Sequence, residues 1–189
     1  MARSNKEFQL GGINHLALVC KDMDRTVDFY TNVMGMPLIK TIELPNNMGQ
    51  HFFFDIGNGD SLAFFWFPNA PDAQPGVASA TRNMIPGPSA HGSMNHVAFN
   101  VPEDKIDEYY KKLTDKGIKA SVVINHDDSP MQASLEKTPT TFVRSIYFYD
   151  PDGIALEFAA WTRELGSPED IKVAGAKADD KKRYLEPAK

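Results

Sequence analysis

The feature that most constrains this chain is a hexapeptide pattern written twice. INHLAL at 13–18 and MNHVAF at 94–99 each run apolar, Asn, His, apolar, Ala, apolar. The surroundings repeat with them. GINHLALVC (12–20) alternates around apolar and β-branched residues as a strand does. KDMDRTVDFYTNVMG follows as a helix, with Asp22 placed to cap it, Met23, Val27, Tyr30 and Met34 on one stripe, and Gly35 as its stop. PLIKTIEL, HFFFDIG and DSLAFFWF then read as three strands parted by the turn signals PNNMGQ and NGD. The second half keeps this order. SMNHVAFNV is a strand, and EDKIDEYYKKLTDKG is a helix with Ile106, Tyr110 and Leu113 inward and Gly117 as its stop. IKASVVI, FVRSIYFYD and GIALEFAAW supply three more strands, the last entered through the tight turn DPDG. Two copies of one βαβββ unit give an α+β fold class more firmly than any single segment could.

The repeat also sets the organisation: a first module at 11–67, a Pro/Gly-rich linker at 68–92, a second module at 93–161 and a charged tail at 162–189 that ends in KKRYLE. The segment 124–141, INHDDSPMQASLEKTPTT, is a long insertion of the kind that forms lids or binding loops. A length of 189 residues suits two small modules sharing one core. No apolar run approaches the roughly 18 residues of a membrane span. A net charge of −5 without any basic stretch argues against a nucleic-acid surface, so the expected partner is a small molecule. The N-terminal MARSNKEFQLGG has no apolar leader and Cys20 is the lone cysteine, which together point to a cytoplasmic, reducing setting with Cys20 as inert core.

Strand alternation decides which side chains share a face. His15 and His96 hold equivalent positions in the two modules, so a pseudo-twofold pairing would aim both imidazoles into one space. Glu157 stands inside an otherwise apolar strand, between Leu156 and Phe158, and a carboxylate there needs a partner. His, His and Glu on three strands can form a facial ligand set that leaves other metal positions open. The alternatives remain that each histidine is a satisfied core residue and that Glu157 pairs with Arg144.

With these residues in view, the paired modules and the segments INHLAL, MNHVAF and YFYDPDGIALEF resemble the vicinal oxygen chelate superfamily. Its members include glyoxalase I, fosfomycin-resistance transferases, bleomycin-binding proteins and extradiol ring-cleaving dioxygenases. The resemblance covers about 11–161 and implies two βαβββ modules forming a cupped, barrel-like mixed sheet around a divalent metal, with His15, His96 and Glu157 as ligands. Laying Gly59 on Gly153 puts Ala63 or Phe64 opposite Glu157, so the fourth ligand of glyoxalase I is missing. Three ligands of this type suit Fe(II), with Mn(II), Zn(II) or Ni(II) as alternatives.

IYFYDPDGIALE also resembles the end of the extradiol dioxygenase signature, and by that match Tyr147 would hydrogen-bond a substrate oxygen. The acid–base histidine of that signature is absent from TPTTFVRS, which leaves His126 or His91 to transfer protons. Phe52, Phe54, Phe64, Trp66 and Phe99 offer aromatic surface, of which one strand face should line the cavity. Phe54, Phe64 and Trp66 are the candidate substrate contacts together with Arg144, and Arg144 and Arg163 either clamp a substrate carboxylate or stay as solvent-facing charges, the second being favoured. The expectation is an extradiol-like dioxygenase using dioxygen on a small aromatic or vicinal-oxygen substrate, with a homodimer as its assembly. Two alternatives stand beside it: a glyoxalase-like isomerase, lyase or thiol transferase using the same site without oxygen, and a metal-free binding protein.

Overall fold

The structure, a computed structural model, describes residues 13–80, 86–171 and 173. Residues 11 and 12 of the first module, 81–85 of the linker and the terminal KKRYLE lie outside the described residues. Strand β1 (His15–Cys20) leads into helix α1 (Met23–Asp28), which a π-helical turn at Phe29–Val33 continues, and then into β2 (Leu38–Glu43), β3 (Gln50–Gly57) and β4 (Asp60–Trp66). The second module runs β5 (Val97–Asn100), α2 (Ile106–Asp115), β6 (Ile124–His126), β7 (Val143–Tyr149) and β8 (Ala155–Trp161). The α+β class and the two βαβββ units stand as expected. Hydrogen bonding divides the strands into two four-stranded sheets, ordered β1-β4-β3-β2 and β5-β8-β7-β6. In each, the first strand lies parallel to the fourth and the other pairs are antiparallel.

Local chemistry explains the element ends. The Asp22 side chain accepts from Arg25 N at 3.0 Å and so caps α1. Gly117 takes φ +75 just past α2, a conformation that a side chain would resist. One expectation needs correction: the strand read at 118–124 lies instead at 124–126 and shares only Ile124 with it. Upstream, Ser121 replaces the regular ladder. Its N donates to Tyr147 O at 2.8 Å, and its hydroxyl accepts from Tyr147 N at 2.9 Å.

Each sheet packs one face on its own helix. Leu62, Phe64 and Phe54 close around Tyr30 and Met23 in the first module, while Ile146, Phe148 and Leu156 close around Ile106 and Leu113 in the second. The modules meet through this helical side. Tyr30 Oη donates to Asp150 Oδ2 at 3.2 Å, Lys21 N donates to Asp152 Oδ2 at 2.9 Å, and Lys116 Nζ donates to Asn32 O at 2.9 Å. Cys20 is buried, and desolvation lifts its thiol to about 11, which agrees with an inert core position. No helix among the described residues is long and apolar enough to cross a membrane.

Candidate metal centre

The register shows which residues face away from the helices. In the second sheet Glu157 stands opposite Ala98 on β5 and opposite Tyr147 on β7, while Ser145 pairs with Ile124 and Val143 with His126. With side chains alternating along each strand, His96, Glu157, Tyr147, Ser145 and His126 therefore share the face opposite α2.

There they meet. His96 Nε2 lies 2.8 Å from Glu157 Oε2, and Tyr147 Oη lies 3.0 Å from His126 Nε2. Glu157 is 5% exposed. Burial pushes its carboxyl up, but His96 and the nearby Ser145 hydroxyl outweigh this and hold it below the usual range, so it is ionised. Burial and the Glu157 charge push the Tyr147 phenol up to about 12. Tyr147 thus keeps its proton and is the donor to His126.

The repeated Asn-His pair has a structural meaning. His96 Nδ1 lies 2.8 Å from Asn95 Oδ1, and His15 Nδ1 lies 2.8 Å from Asn14 Oδ1. An amide oxygen only accepts, so each imidazole holds a proton on Nδ1 and turns Nε2 away from its asparagine, His96 Nε2 toward the Glu157 carboxylate, where an ion would take the place of the shared proton. That is the arrangement a metal-ligating histidine needs. His96 and Glu157 supply two donors side by side. His15 does not stand beside this pair: among the described residues no three His, Cys, Asp or Glu side chains cluster closely enough to hold an ion. It occupies the exposed start of β1, roughly 20 Å along the strand from Lys21, where the second module is anchored.

The first sheet resolves the question of the fourth ligand. His15 pairs with Ser61 and Ala17 with Ala63, and Ala63 also pairs with Phe53. Glu157 has the same relation to Ala98 and Tyr147, so Ala63 occupies the equivalent place and brings no donor atom.

The same register separates the other candidates. Phe54, Phe64 and Trp66 fall on the helix-facing side, opposite His15. Phe54 and Phe64 are fully buried, 5.5 and 4.9 Å from the Tyr30 ring, and Trp66 Nε1 donates to Lys21 O at 3.1 Å. As substrate contacts on the His15 face they are therefore corrected. The aromatic residues that do share that face are Phe53, 5.6 Å from the His15 ring, and Phe65, stacked at 3.6 Å on His51. Phe52 and Phe99 also pack against the core.

Arg144 is corrected as well. It faces α2, donating to Asn125 Oδ1 at 3.2 Å and to Asp107 Oδ1 at 3.1 Å, and it meets neither Glu157 nor the face that carries it. Arg163 is committed to Asp170 at 2.7 Å, and His91 is exposed in the turn before β5. Sequence reasoning missed His51, Phe53, Phe65 and Ser145. Lining up the two repeats residue by residue from His15 and His96 outward is the signal that could have found them.

Comparison with known proteins agrees with this architecture. The family model described as Glyoxalase/Bleomycin resistance protein/Dioxygenase superfamily matches residues 12–158. The metallothiol transferase FosB of Lysinibacillus sphaericus (strain C3-41) is 28% identical over 155 residues, covering 79% of this chain and 82% of that protein. The putative ring-cleaving dioxygenase MhqE of Bacillus subtilis (strain 168) is 26% identical over 111 residues, covering 57% of this chain and 32% of that protein. Among solved structures, a glyoxalase family protein from Enterococcus faecalis superposes with a TM-score of 0.57 at 21% identity, over 79% of this chain and 97% of that one. The fosfomycin resistance protein FosX of Listeria monocytogenes, complexed with Mn(II) and sulfate, superposes with a TM-score of 0.50 at 21% identity, over 86% of this chain and 98% of that one.

Proposed function

The chain belongs to the Glyoxalase/Bleomycin resistance protein/Dioxygenase superfamily, and we propose that it is a metal-dependent enzyme whose ion is held by His96 and Glu157 of one copy and His15 of a second. Its best-supported activity is extradiol-like cleavage of a small aromatic substrate with two adjacent oxygens, using Fe(II) and dioxygen. The observation that carries this reading is the Tyr147–His126 pair at 3.0 Å, set on the strands beside the His96–Glu157 pair at 2.8 Å. The donor set fits such an ion, because Asn95 and Asn14 hold Nδ1 of each imidazole and so turn Nε2 outward, and Glu157 is ionised beside His96 Nε2. Bound there, an Fe(II) ion would draw charge from two chelated substrate oxygens and pass electrons between substrate and dioxygen.

The chain's own groups have distinct tasks. Tyr147, protonated at neutral pH, can hydrogen-bond a substrate oxygen while His126 Nε2 receives a proton through it. Phe53 and Phe65 offer an apolar wall on the His15 face. The strand positions on the ligand side of both sheets carry one cation, Lys40 on the outer strand β2, and no arginine. That composition suits an aromatic ring better than a multiply charged anion.

A second reading, metal-assisted thiol transfer or isomerisation without oxygen, is favoured by the likeness to the FosB transferase over 79% of the chain. Metal content of protein purified anaerobically, compared between the parent and Glu157→Ala, tests both. Iron near one per site, lost in the variant and accompanied by oxygen uptake with catechols, supports the first reading. Manganese, zinc or nickel with anaerobic turnover moves the assignment to the second. A chain that takes up no metal after reconstitution overturns both.

A further inference from the structure

Among the described residues, two buried side-chain polar atoms lack a hydrogen-bond partner, Ser145 Oγ and His51 Nε2. They occupy one position of the repeat. His51 pairs with Phe65 and Ile42, and Phe65 lies two residues beyond Ala63 on β4. Ser145 pairs with Ala159 and Ile124, and Ala159 lies two residues beyond Glu157 on β8. In the first module the carboxylate place holds Ala63, and His51 fills the neighbourhood by stacking on Phe65 at 3.6 Å. In the second module the carboxylate is present, and the position beside it holds a small hydroxyl.

A buried hydroxyl without a partner destabilises the fold, and alanine would fill the space without that penalty. Ser145 is completely buried on the same face as Glu157 and diagonal to it across the β7–β8 pair, within reach of a carboxylate that shifts slightly. One carboxylate oxygen, Oε2, is taken by His96 Nε2 at 2.8 Å. An ion bound by both side chains would take the place of that direct contact and shift the carboxylate, so that its other oxygen could meet the Ser145 hydroxyl.

We propose that Ser145 is a positioning residue for Glu157, donating from Oγ to the carboxylate oxygen that does not hold the ion and so setting metal affinity. The assignment rests on the metal site proposed above. The unpartnered hydroxyl is then a group whose partner arrives with the ion.

The test titrates Mn(II) into the full chain, following free ion by electron paramagnetic resonance, for the parent, Ser145→Ala, Ser145→Thr and Glu157→Gln, with thermal melting of each metal-free protein. Ser145→Ala should weaken Mn(II) binding about tenfold, as loss of an outer hydrogen bond to a ligand does. Its metal-free form should melt no lower than the parent, and Ser145→Thr should recover most of the affinity. Unchanged Mn(II) affinity in Ser145→Ala, with Glu157→Gln abolishing binding, overturns the positioning role and leaves the metal site intact. Lowered melting of Ser145→Ala without rescue by threonine also overturns it, because the serine then only packs. If Glu157→Gln binds Mn(II) as the parent does, the metal site itself fails and the role of Ser145 falls with it.

Discussion

A histidine on a strand can offer either ring nitrogen, and the asparagine preceding both His15 and His96 decides which. Removing that asparagine frees the ring to rotate and to change tautomer. Asn95→Ala should therefore weaken divalent-metal binding about tenfold while leaving the fold intact, as isothermal titration and circular dichroism would show. The Asn-His pairs were legible in the sequence because the repeat singles them out, and Glu157 because it interrupts an apolar strand. Phe54, Phe64 and Trp66 were misread because a strand's two faces differ by one residue of register, and pairing with distant strands sets that register. Asp150 shows a buried acid that no motif reports. Burial lifts its carboxyl to about 6, although the amides of Asp152 and Ile154 and the Tyr30 hydroxyl all donate to it. Its folded pKa exceeds the ordinary value, so the folded chain holds this proton more tightly. The stabilisation is full below about pH 4 and is lost as pH rises to about 6. Asn would keep the acceptor oxygen for both amides. Asp150→Asn should thus remove up to about 3 kcal/mol of pH-dependent change across that window, read from urea unfolding at pH 4, 5, 6 and 7.

Elements were legible in order and type because their boundaries carry local chemistry, such as the Asp22 cap. What the sequence left open was where side chains replace the backbone ladder. Ser121 does so before β6, and Asp127 does so after it, accepting from Ser129 N at 3.0 Å, Ser134 Oγ at 3.0 Å and Thr138 Oγ1 at 3.2 Å. The insertion expected as a lid is therefore pinned to a buried carboxylate along much of its length. A similar dependence on tertiary approach occurs at Gly49, between β2 and β3. It has φ +142, and an added Cβ would lie 2.0 Å from Trp66 O. Only a residue without a side chain lets the loop cross the end of β4. Gly49→Ala should destabilise the chain by at least about 2 kcal/mol, lowering the melting temperature by roughly 4–8 °C.

At the scale of the molecule, the two modules are joined through their helices and the β7–β8 turn, so their ligand-bearing faces remain apart. β1 and β5 are edge strands in their sheets, each paired with one neighbour there. Val19 on the His15 face is 51% exposed, and Trp161 on the Glu157 face is 54% exposed. A site split between copies makes use of both faces and gives a sharp expectation. In a twofold dimer, each site takes His15 from one chain and His96 with Glu157 from the other. His15→Ala alone and Glu157→Ala alone should each bind metal weakly at both sites. Unfolded together and refolded as a mixture, they should form heterodimers in which one site has lost both contributions and the other is wholly intact. The purified heterodimer should then hold about one ion per two chains at parental affinity, measured by metal analysis after gel filtration. Refolding that yields heterodimers without restored binding would mean that the ligands come together within a single chain, and the intermodule contacts through Tyr30 and Asp150 would then have to rearrange when metal binds.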